Sequence, residues 1–355
     1  MGENTIIKQD NTLKTSYCGM IDVYRVIFTL YVTLLHFEMF MYPDSKTFAG
    51  GYLAVDFFFI LSGFLVYKSW KSGKYSDAVE FTWAKIKRFF PYCIIVLGLL
   101  WIWKTYQYGV LQGLRGLSLV DFSLTELISY SYEIVFLQII APTGISNSMC
   151  WYLSALIVVG FIFFIILEKN KNSSLKTGTI LFLALVALAY IFGENDSINL
   201  TIQPTRINIT FGLLRGFADM GIGCFISEIS ERVSRSNKQL MGMRILAIAG
   251  MALVMIRYNN SALDFVFIIF ASLCVMTEFC DESLKKSFTK KVIGADYALA
   301  LYICHPLIIV VWFSINGTLS ALVNGNRVII TMCFVVGECI FAYALEKTVR
   351  RITRR

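Results

Sequence analysis

Long apolar runs alternate with short polar stretches along almost the whole chain, and about ten of these runs are long enough to cross a bilayer as helices. Hydropathy and helix breakers place the predicted spans near residues 20–41, 52–69, 89–106, 149–167, 178–193, 208–228, 243–257, 261–279, 296–314 and 327–346. The pattern therefore predicts an all-α polytopic membrane protein with about ten transmembrane helices.

Lysine and arginine collect in every second connection between the predicted spans, which is where membrane proteins keep positive charge on the cytoplasmic side. The two terminal segments and the even-numbered connections hold most of the 32 basic residues. The other connections hold Lys46, Lys104, Arg115, Arg206, Arg257 and Arg327. We therefore predict cytoplasmic termini, with residues 1–19 a polar cytoplasmic segment, and a multi-pass protein of the cell membrane.

The amino-acid composition agrees with a polytopic membrane protein. Of the 355 residues 57% are hydrophobic and 16% are charged, and most connections are short, so one transmembrane domain over residues 1–355 is predicted. The net charge of +8 follows from the loop pattern and favours membrane lipid over nucleic acid as a partner. The nine cysteines show no paired spacing and no cluster with histidine, so neither disulfides nor a metal site is expected.

One connection is long: residues 107–148 are predicted to lie outside the cell. The connection contains a semi-apolar run from Leu124 to Ile140. Loops of this length usually have a function or rest at an interface. Two interpretations stay open, an amphipathic helix at the lipid headgroups and a lid over a ligand groove.

Arg25 and His36 are polar residues inside the first predicted span, in a chain with only two histidines. Eleven helical steps of about 100° make roughly three turns, so both side chains lie on one face, about 16 Å apart along the axis. A snorkelling arginine and a packing histidine are the structural alternatives. The shared face favours an anion-binding group near the cytoplasm and a proton-transfer group further out.

Asp56 lies near the start of the second span, which runs inward while the first runs outward. Asp56 and His36 are therefore expected at similar depth, where a carboxylate can orient an imidazole and raise its basicity. An aspartate that only interacts with the helix dipole is an equally supported alternative.

A basic cluster of Lys85, Lys87 and Arg88 precedes Pro91 at the cytoplasmic start of the third span. Such clusters commonly fix the orientation of a span. Lys85 and Arg88 are three residues apart and so are neighbours on one helix face, where they can hold phosphate groups.

Further polar residues lie within predicted spans, where a central Arg or Asp costs about 2.5 to 3.5 kcal/mol. Arg215 and Asp219 are four residues apart and can neutralise each other as a structural ion pair. Glu338 has no partner that the sequence identifies. His305 precedes Pro306, which frees a backbone carbonyl, so a structural role for His305 is favoured.

In combination, five motifs resemble the acyltransferase-3 family, integral-membrane O-acyltransferases that modify cell-envelope polysaccharides. The motifs are the Arg25–His36 spacing, Gly-Gly-Tyr-Leu-Ala-Val-Asp-Phe-Phe-Phe-Ile-Leu-Ser-Gly-Phe at 50–64, the basic-Phe-Phe-Pro entry at 85–91, Trp151-Tyr152-Leu153, and Leu301-Tyr302-Ile303-Cys304-His305-Pro306.

The resemblance covers almost the whole chain. It implies ten spans, a cytoplasmic acyl-coenzyme A donor, an acceptor hydroxyl outside, and essential roles for Arg25 and His36. The family often has arginine where this chain has Lys85, which keeps the charge but loses the bidentate fork. Many relatives also have a carboxy-terminal hydrolase-like domain; this chain is expected to be of the standalone type.

Together the residues and the resemblance predict a membrane O-acyltransferase that moves an acyl group, acetyl first of all, from acyl-coenzyme A to a hydroxyl of an extracytoplasmic polysaccharide or glycolipid. Arg25, Lys85 and Arg88 are expected to bind the donor phosphates. His36, aided by Asp56, is expected to act as the general base. Direct transfer is favoured because no Ser or Cys has a base beside it in the sequence, and an acyl-histidine is the alternative.

A transporter or flippase for an envelope lipid or a small solute is the alternative from another functional class. The absence of a detectable inverted repeat in the sequence argues against it. Its translocation path would contain the charged residues Arg215, Asp219 and Glu338.

Overall fold

The computed structural model describes residues 19–140, 151–206, 208–232, 236–256, 262–280, 294–322 and 325–353. Within these ranges the chain folds into eleven helices and no β-strand. The helices are α1 Gly19–Met41, α2 Ala54–Lys71, α3 Ala78–Tyr106, α4 Leu117–Ile134, α5 Trp151–Lys169, α6 Lys176–Asn195, α7 Phe211–Arg232, α8 Asn237–Ile256, α9 Ala262–Cys280, α10 Ala295–Leu322 and α11 Arg327–Thr353.

Nine helical segments of the described chain are long and apolar enough to cross a membrane. They coincide with nine of the predicted spans, and the predicted class of an all-α polytopic membrane protein is confirmed. The sixth predicted span, 208–228, corresponds to α7, a helix of 22 residues. Arg215 and Asp219 of α7 are buried, so neighbouring helices rather than lipid surround these charged groups.

α3 begins at Ala78, earlier than the predicted start at residue 89. Asp77 caps the helix, since its side chain accepts a hydrogen bond from the Glu80 N–H at 2.8 Å. Glu80 in turn accepts from the Ser76 N–H at 2.7 Å. Pro91 lies inside the helix. The hydropathy pattern detects only the apolar part of such a helix and does not predict its polar first turns. The basic cluster Lys85, Lys87 and Arg88 therefore lies on α3 itself.

α2 and α7 pack more extensively than any other pair of helices in the described chain. Two glycines permit the close approach. A methyl group at Gly63 would overlap the carbonyl oxygen of Met220, and one at Gly223 would overlap that of Ile60. Small residues at such crossings bring helix backbones together in membrane proteins.

α1 and α11 run antiparallel and are joined by aromatic and polar contacts, among them an ion pair between Glu38 and Arg327. The ring of Phe37 stacks on that of Phe334 with centroids 4.1 Å apart. One turn earlier on α1, the Thr33 hydroxyl donates to Glu338 Oε2 at 3.1 Å. Glu338, for which the sequence identified no partner, is therefore hydrogen-bonded within the helix bundle.

The long connection after α3 contains α4, which is anchored to α3 by polar contacts. Lys104 Nζ lies 2.9 Å from Glu126 Oε2, and the Trp101 indole donates to the Ser123 carbonyl at 2.9 Å. A helix is present in this connection and starts at Leu117, earlier than residue 124; its place at the lipid headgroups stays a prediction. Residues 141–148 of this connection lie outside the described residues, so the lid interpretation stays a prediction. Large apolar side chains exposed on α4 are Leu117, Val120, Leu124, Leu127 and Ile128.

Candidate functional site

A cavity of about 120 Å³ lies mainly between α1, α2, α3, α5 and α10. Arg25 of α1 and Lys85 and Arg88 of α3 all line it. These are the three cations that the sequence predicted as phosphate ligands, and the fold brings them to one cavity.

 α1 and α3 are the first and third predicted spans and both run outward, so their amino-terminal halves meet at the predicted cytoplasmic end of the bundle.

Hydroxyl groups and aromatic rings form the rest of the cavity wall. Ser62 Oγ and Tyr152 OH lie 3.2 Å apart, and both residues line the cavity. The ring of Tyr302, on α10, meets that of Tyr152 edge to face with centroids 5.7 Å apart. The cavity therefore joins a cationic lining to a wall that offers hydrogen bonds and apolar contact.

Two of the three cations already pair with carboxylates. Arg25 donates to Asp22, one turn earlier on α1. Arg88 donates to Asp296 Oδ1 from Nε at 3.1 Å and from Nη2 at 2.8 Å. Lys85 forms no ion pair with any described residue, and its Nζ lies 5.3 Å from the centroid of the Phe81 ring. An anionic ligand would therefore meet one uncompensated cation and compete with carboxylates for the other two.

His36 and His305, the two histidines of the chain, are hydrogen-bonded to each other. His36 Nδ1 lies 3.1 Å from His305 Nε2, and the rings are parallel to within 6°. His305 is fully buried, whereas His36 keeps partial exposure. The other nitrogen of His305, Nδ1, lies 2.5 Å from the carbonyl oxygen of Tyr302. His36 is therefore the more accessible residue of the pair.

The histidine pair lies beyond the cavity along two helices. Arg25 and Thr29 of α1 line the cavity, and His36 follows about two turns after Thr29 on the same unbroken helix. On α10, Tyr302 lines the cavity and His305 follows one turn later. Two neighbouring helices thus connect the cationic cavity with the imidazoles.

Asp56 is placed against Arg215 rather than against His36. Arg215 donates from Nε to Asp56 Oδ1 at 2.6 Å and from Nη2 to Oδ2 at 2.7 Å. Both side chains are at most 1% exposed. Equal depth in the membrane was the basis of the predicted Asp56–His36 contact, but the carboxylate is turned toward α7, where the guanidinium satisfies both of its oxygens. The catalytic role of Asp56 stays a prediction without that contact.

The same geometry revises two predictions about buried polar residues. The guanidinium of Arg215 bonds Asp56 and the Tyr52 carbonyl oxygen, the latter at 2.9 Å, rather than Asp219. His305 does contact the carbonyl that Pro306 frees, as the favoured structural role expected, but it also contacts His36. One feature of the sequence could have indicated the contact with His36. Both histidines of this chain lie in spans that are predicted to run outward.

The fold and the site together define a multi-pass helical membrane protein with a cation-lined cavity and a histidine pair. The family model described as an acyltransferase domain matches residues 20–346. The chain therefore belongs to the acyltransferase-3 family and is a membrane acyltransferase. Neither the curated proteins nor the solved structures contain a match.

Proposed function

We propose that the protein transfers an acyl group, acetyl first of all, from cytoplasmic acyl-coenzyme A to a hydroxyl of a cell-envelope polysaccharide or glycolipid outside the cell membrane. One observation carries the proposal: Arg25, Lys85 and Arg88 come from two separate helices and line one cavity. Three cations suit a ligand with several phosphate groups, which coenzyme A provides. Membership of an acyltransferase family supports an acyl thioester as that ligand.

Donor binding is proposed to exchange protein carboxylates for phosphates. Arg25 and Arg88 leave Asp22 and Asp296 to bind phosphate oxygens, and a guanidinium can do so with two parallel hydrogen bonds. Lys85 supplies a compact charge without that fork. The nucleotide then stays at the cationic end of the cavity while the thin pantetheine arm extends past Tyr302 toward the histidines.

The chemical step is proposed to use His36 as the general base. It takes the proton of a sugar hydroxyl as the oxygen attacks the thioester carbonyl carbon. The carbon–oxygen bond forms, the carbon–sulfur bond breaks, and coenzyme A leaves as a thiolate that takes up the proton from His36. We assign Asp56 no proton transfer because both of its oxygens are bonded to Arg215.

Two of the three charged residues on which the transporter alternative was based have partners within the helix bundle. Arg215 is neutralised by Asp56 in a bidentate pair, and Glu338 accepts a hydrogen bond from Thr33. Each of these contacts joins two helices, so a structural role accounts for both residues.

The proposal is tested with labelled acetyl-coenzyme A and the purified protein in nanodiscs. We expect wild type to release label from coenzyme A or to transfer it to envelope glycans, and His36→Ala to lose about 10²-fold or more of this turnover while still binding the donor. Lys85→Ala should weaken donor binding. Lys87→Ala is the matched control, because Lys87 is on the same helix but does not line the cavity among the described residues.

Two results would contradict the proposal. One is full turnover by His36→Ala. The other is the absence of donor binding and turnover in wild type across several acyl donors and a panel of envelope glycans.

A further inference from the structure

We propose that His305 is a positioning residue that fixes the tautomer of His36, and that the carbonyl freed by Pro306 sets this arrangement. The inference rests on the proposed function in one respect, the role of His36 as a base. It also identifies the nitrogen of His36 that accepts the proton of the hydroxyl, and the contact that keeps a proton on the second nitrogen.

The first step is the proline in α10. Pro306 has no N–H, so the carbonyl of Tyr302, four residues earlier, lacks the donor that a regular helix would give it. His305 Nδ1 lies 2.5 Å from that carbonyl oxygen. A carbonyl oxygen only accepts hydrogen bonds, so the proton of this bond belongs to His305 Nδ1.

The second step is the neutral state of His305. Its side chain is fully buried, and no described carboxylate forms an ion pair with it. A doubly protonated imidazole there would be a buried charge without a counter-ion, which is strongly unfavourable. With its proton on Nδ1, a neutral His305 has a lone pair on Nε2.

In the third step, the tautomer of His305 determines the tautomer of His36. His305 Nε2 can only accept, so the hydrogen bond of 3.1 Å is donated by His36 Nδ1. A neutral His36 that holds its proton on Nδ1 has its lone pair on Nε2, the nitrogen left for an acceptor hydroxyl. Free neutral histidine in water prefers the opposite tautomer, with the proton on Nε2, so the pair reverses the intrinsic preference.

The consequence for catalysis is that the lone pair of neutral His36 lies on Nε2, the nitrogen left for the acceptor hydroxyl. A His36 in the other tautomer would present an N–H to the acceptor hydroxyl and could not take its proton. Fixing the imidazole in one tautomer through its second nitrogen is the role that carboxylates or carbonyls have beside other functional histidines. Here a second histidine, itself fixed by a backbone carbonyl, has that role.

The direct test is nitrogen NMR on protein labelled with ¹⁵N-histidine and purified through a tag that contains no histidine. The label then reports two imidazole rings only. At a pH where both rings are neutral, we expect both to have the proton on Nδ1 and an unprotonated Nε2. A wild-type His36 with its proton on Nε2 would overturn the inference, whether or not the protein transfers acyl groups.

Two variants test the cause of the tautomer. In His305→Leu the label reports His36 alone, and we expect His36 to shift to the tautomer with the proton on Nε2. Pro306→Ala leaves both histidines in place but returns an N–H to the Tyr302 carbonyl, so a partial shift in the same direction is expected. An unchanged His36 tautomer in both folded variants would overturn the proposal.

Kinetics separate positioning from a general loss of structure. We expect His305→Leu to lower kcat by about 10- to 100-fold with an unchanged KM for the donor. His305→Gln should retain more activity, because its amide oxygen can accept the hydrogen bond from His36 Nδ1. Equal losses in the two variants, together with a raised donor KM, would assign His305 to packing. Absence of acyl transfer in wild type, with the tautomer as expected, would contradict the proposed function and leave the His305–His36 arrangement supported.

Discussion

Asp56→Asn removes the charge that neutralises Arg215 while keeping the shape of the side chain. The guanidinium is 1% exposed, so it would stay buried without the carboxylate that pairs with it. Breaking one side of a buried ion pair costs about 3 to 5 kcal/mol, and asparagine keeps one oxygen acceptor, so we expect a loss near the lower end. A loss of about 3 kcal/mol lowers the ratio of folded to unfolded protein by roughly two orders of magnitude.

Thermal unfolding in detergent, followed with a thiol-reactive dye, measures this loss. The dye suits this chain because the side chains of Cys93, Cys224, Cys274 and Cys304 are buried in the folded state. Asp44→Asn is the matched control, since Asp44 is exposed in a connection, and its effect should stay within about 0.5 kcal/mol.

The double variant Asp56→Leu with Arg215→Met should unfold at a higher temperature than Asp56→Asn, because it removes both charges from the protein interior. An Asp56→Asn variant that unfolds like wild type but has lost turnover would refute the structural interpretation. That result would support the partnership with His36 that the sequence suggested.

Three further predictions follow from the packing and the cavity. Asp296→Asn should tighten donor binding up to about fivefold in an equilibrium binding assay, because it removes an exposed competitor for Arg88 worth at most about 1 kcal/mol; weaker binding would show that Asp296 positions Arg88 for the donor. Lys85→Arg should also tighten donor binding, by a few-fold, through a bidentate contact, and an unchanged affinity would argue that this side chain does not touch phosphate. Gly223→Ala should destabilise the protein by about 1 to 3 kcal/mol through overpacking, whereas Gly242→Ala, with open space around it, should not; equal melting temperatures would contradict the close helix contact.

Much of the fold was predictable because hydropathy and loop charge act locally along the chain. The same holds for α1, where helical periodicity alone places Arg25 and His36 on one face. The start of α3 was not predictable from hydropathy, since its first turns are polar and are held by the Asp77 cap. That cap is visible in the sequence as a Ser-Asp pair followed by Glu80.

The partners of the buried polar groups were harder to predict, because they depend on how each helix is rotated about its axis. Asp56 and His36 can have equal depth and still face different helices, as the Asp56–Arg215 pair shows. The local contact of His305 with the freed carbonyl followed from Pro306, which is its neighbour in sequence. The contact with His36 joins residues of two different helices, and no spacing along the chain encodes it.

The sidedness of acyl transfer in membrane vesicles is the first measurement to make on this protein. Inverted vesicles that expose the predicted cytoplasmic face should incorporate label from acetyl-coenzyme A into glycan or glycolipid as an alkali-labile ester, and sealed right-side-out vesicles should not. His36→Ala vesicles with equal amounts of folded protein should bind the donor but incorporate no label. Equal incorporation by His36→Ala, or incorporation only by the right-side-out vesicles, would contradict transfer of a cytoplasmic acyl group to an outer hydroxyl with His36 as the general base.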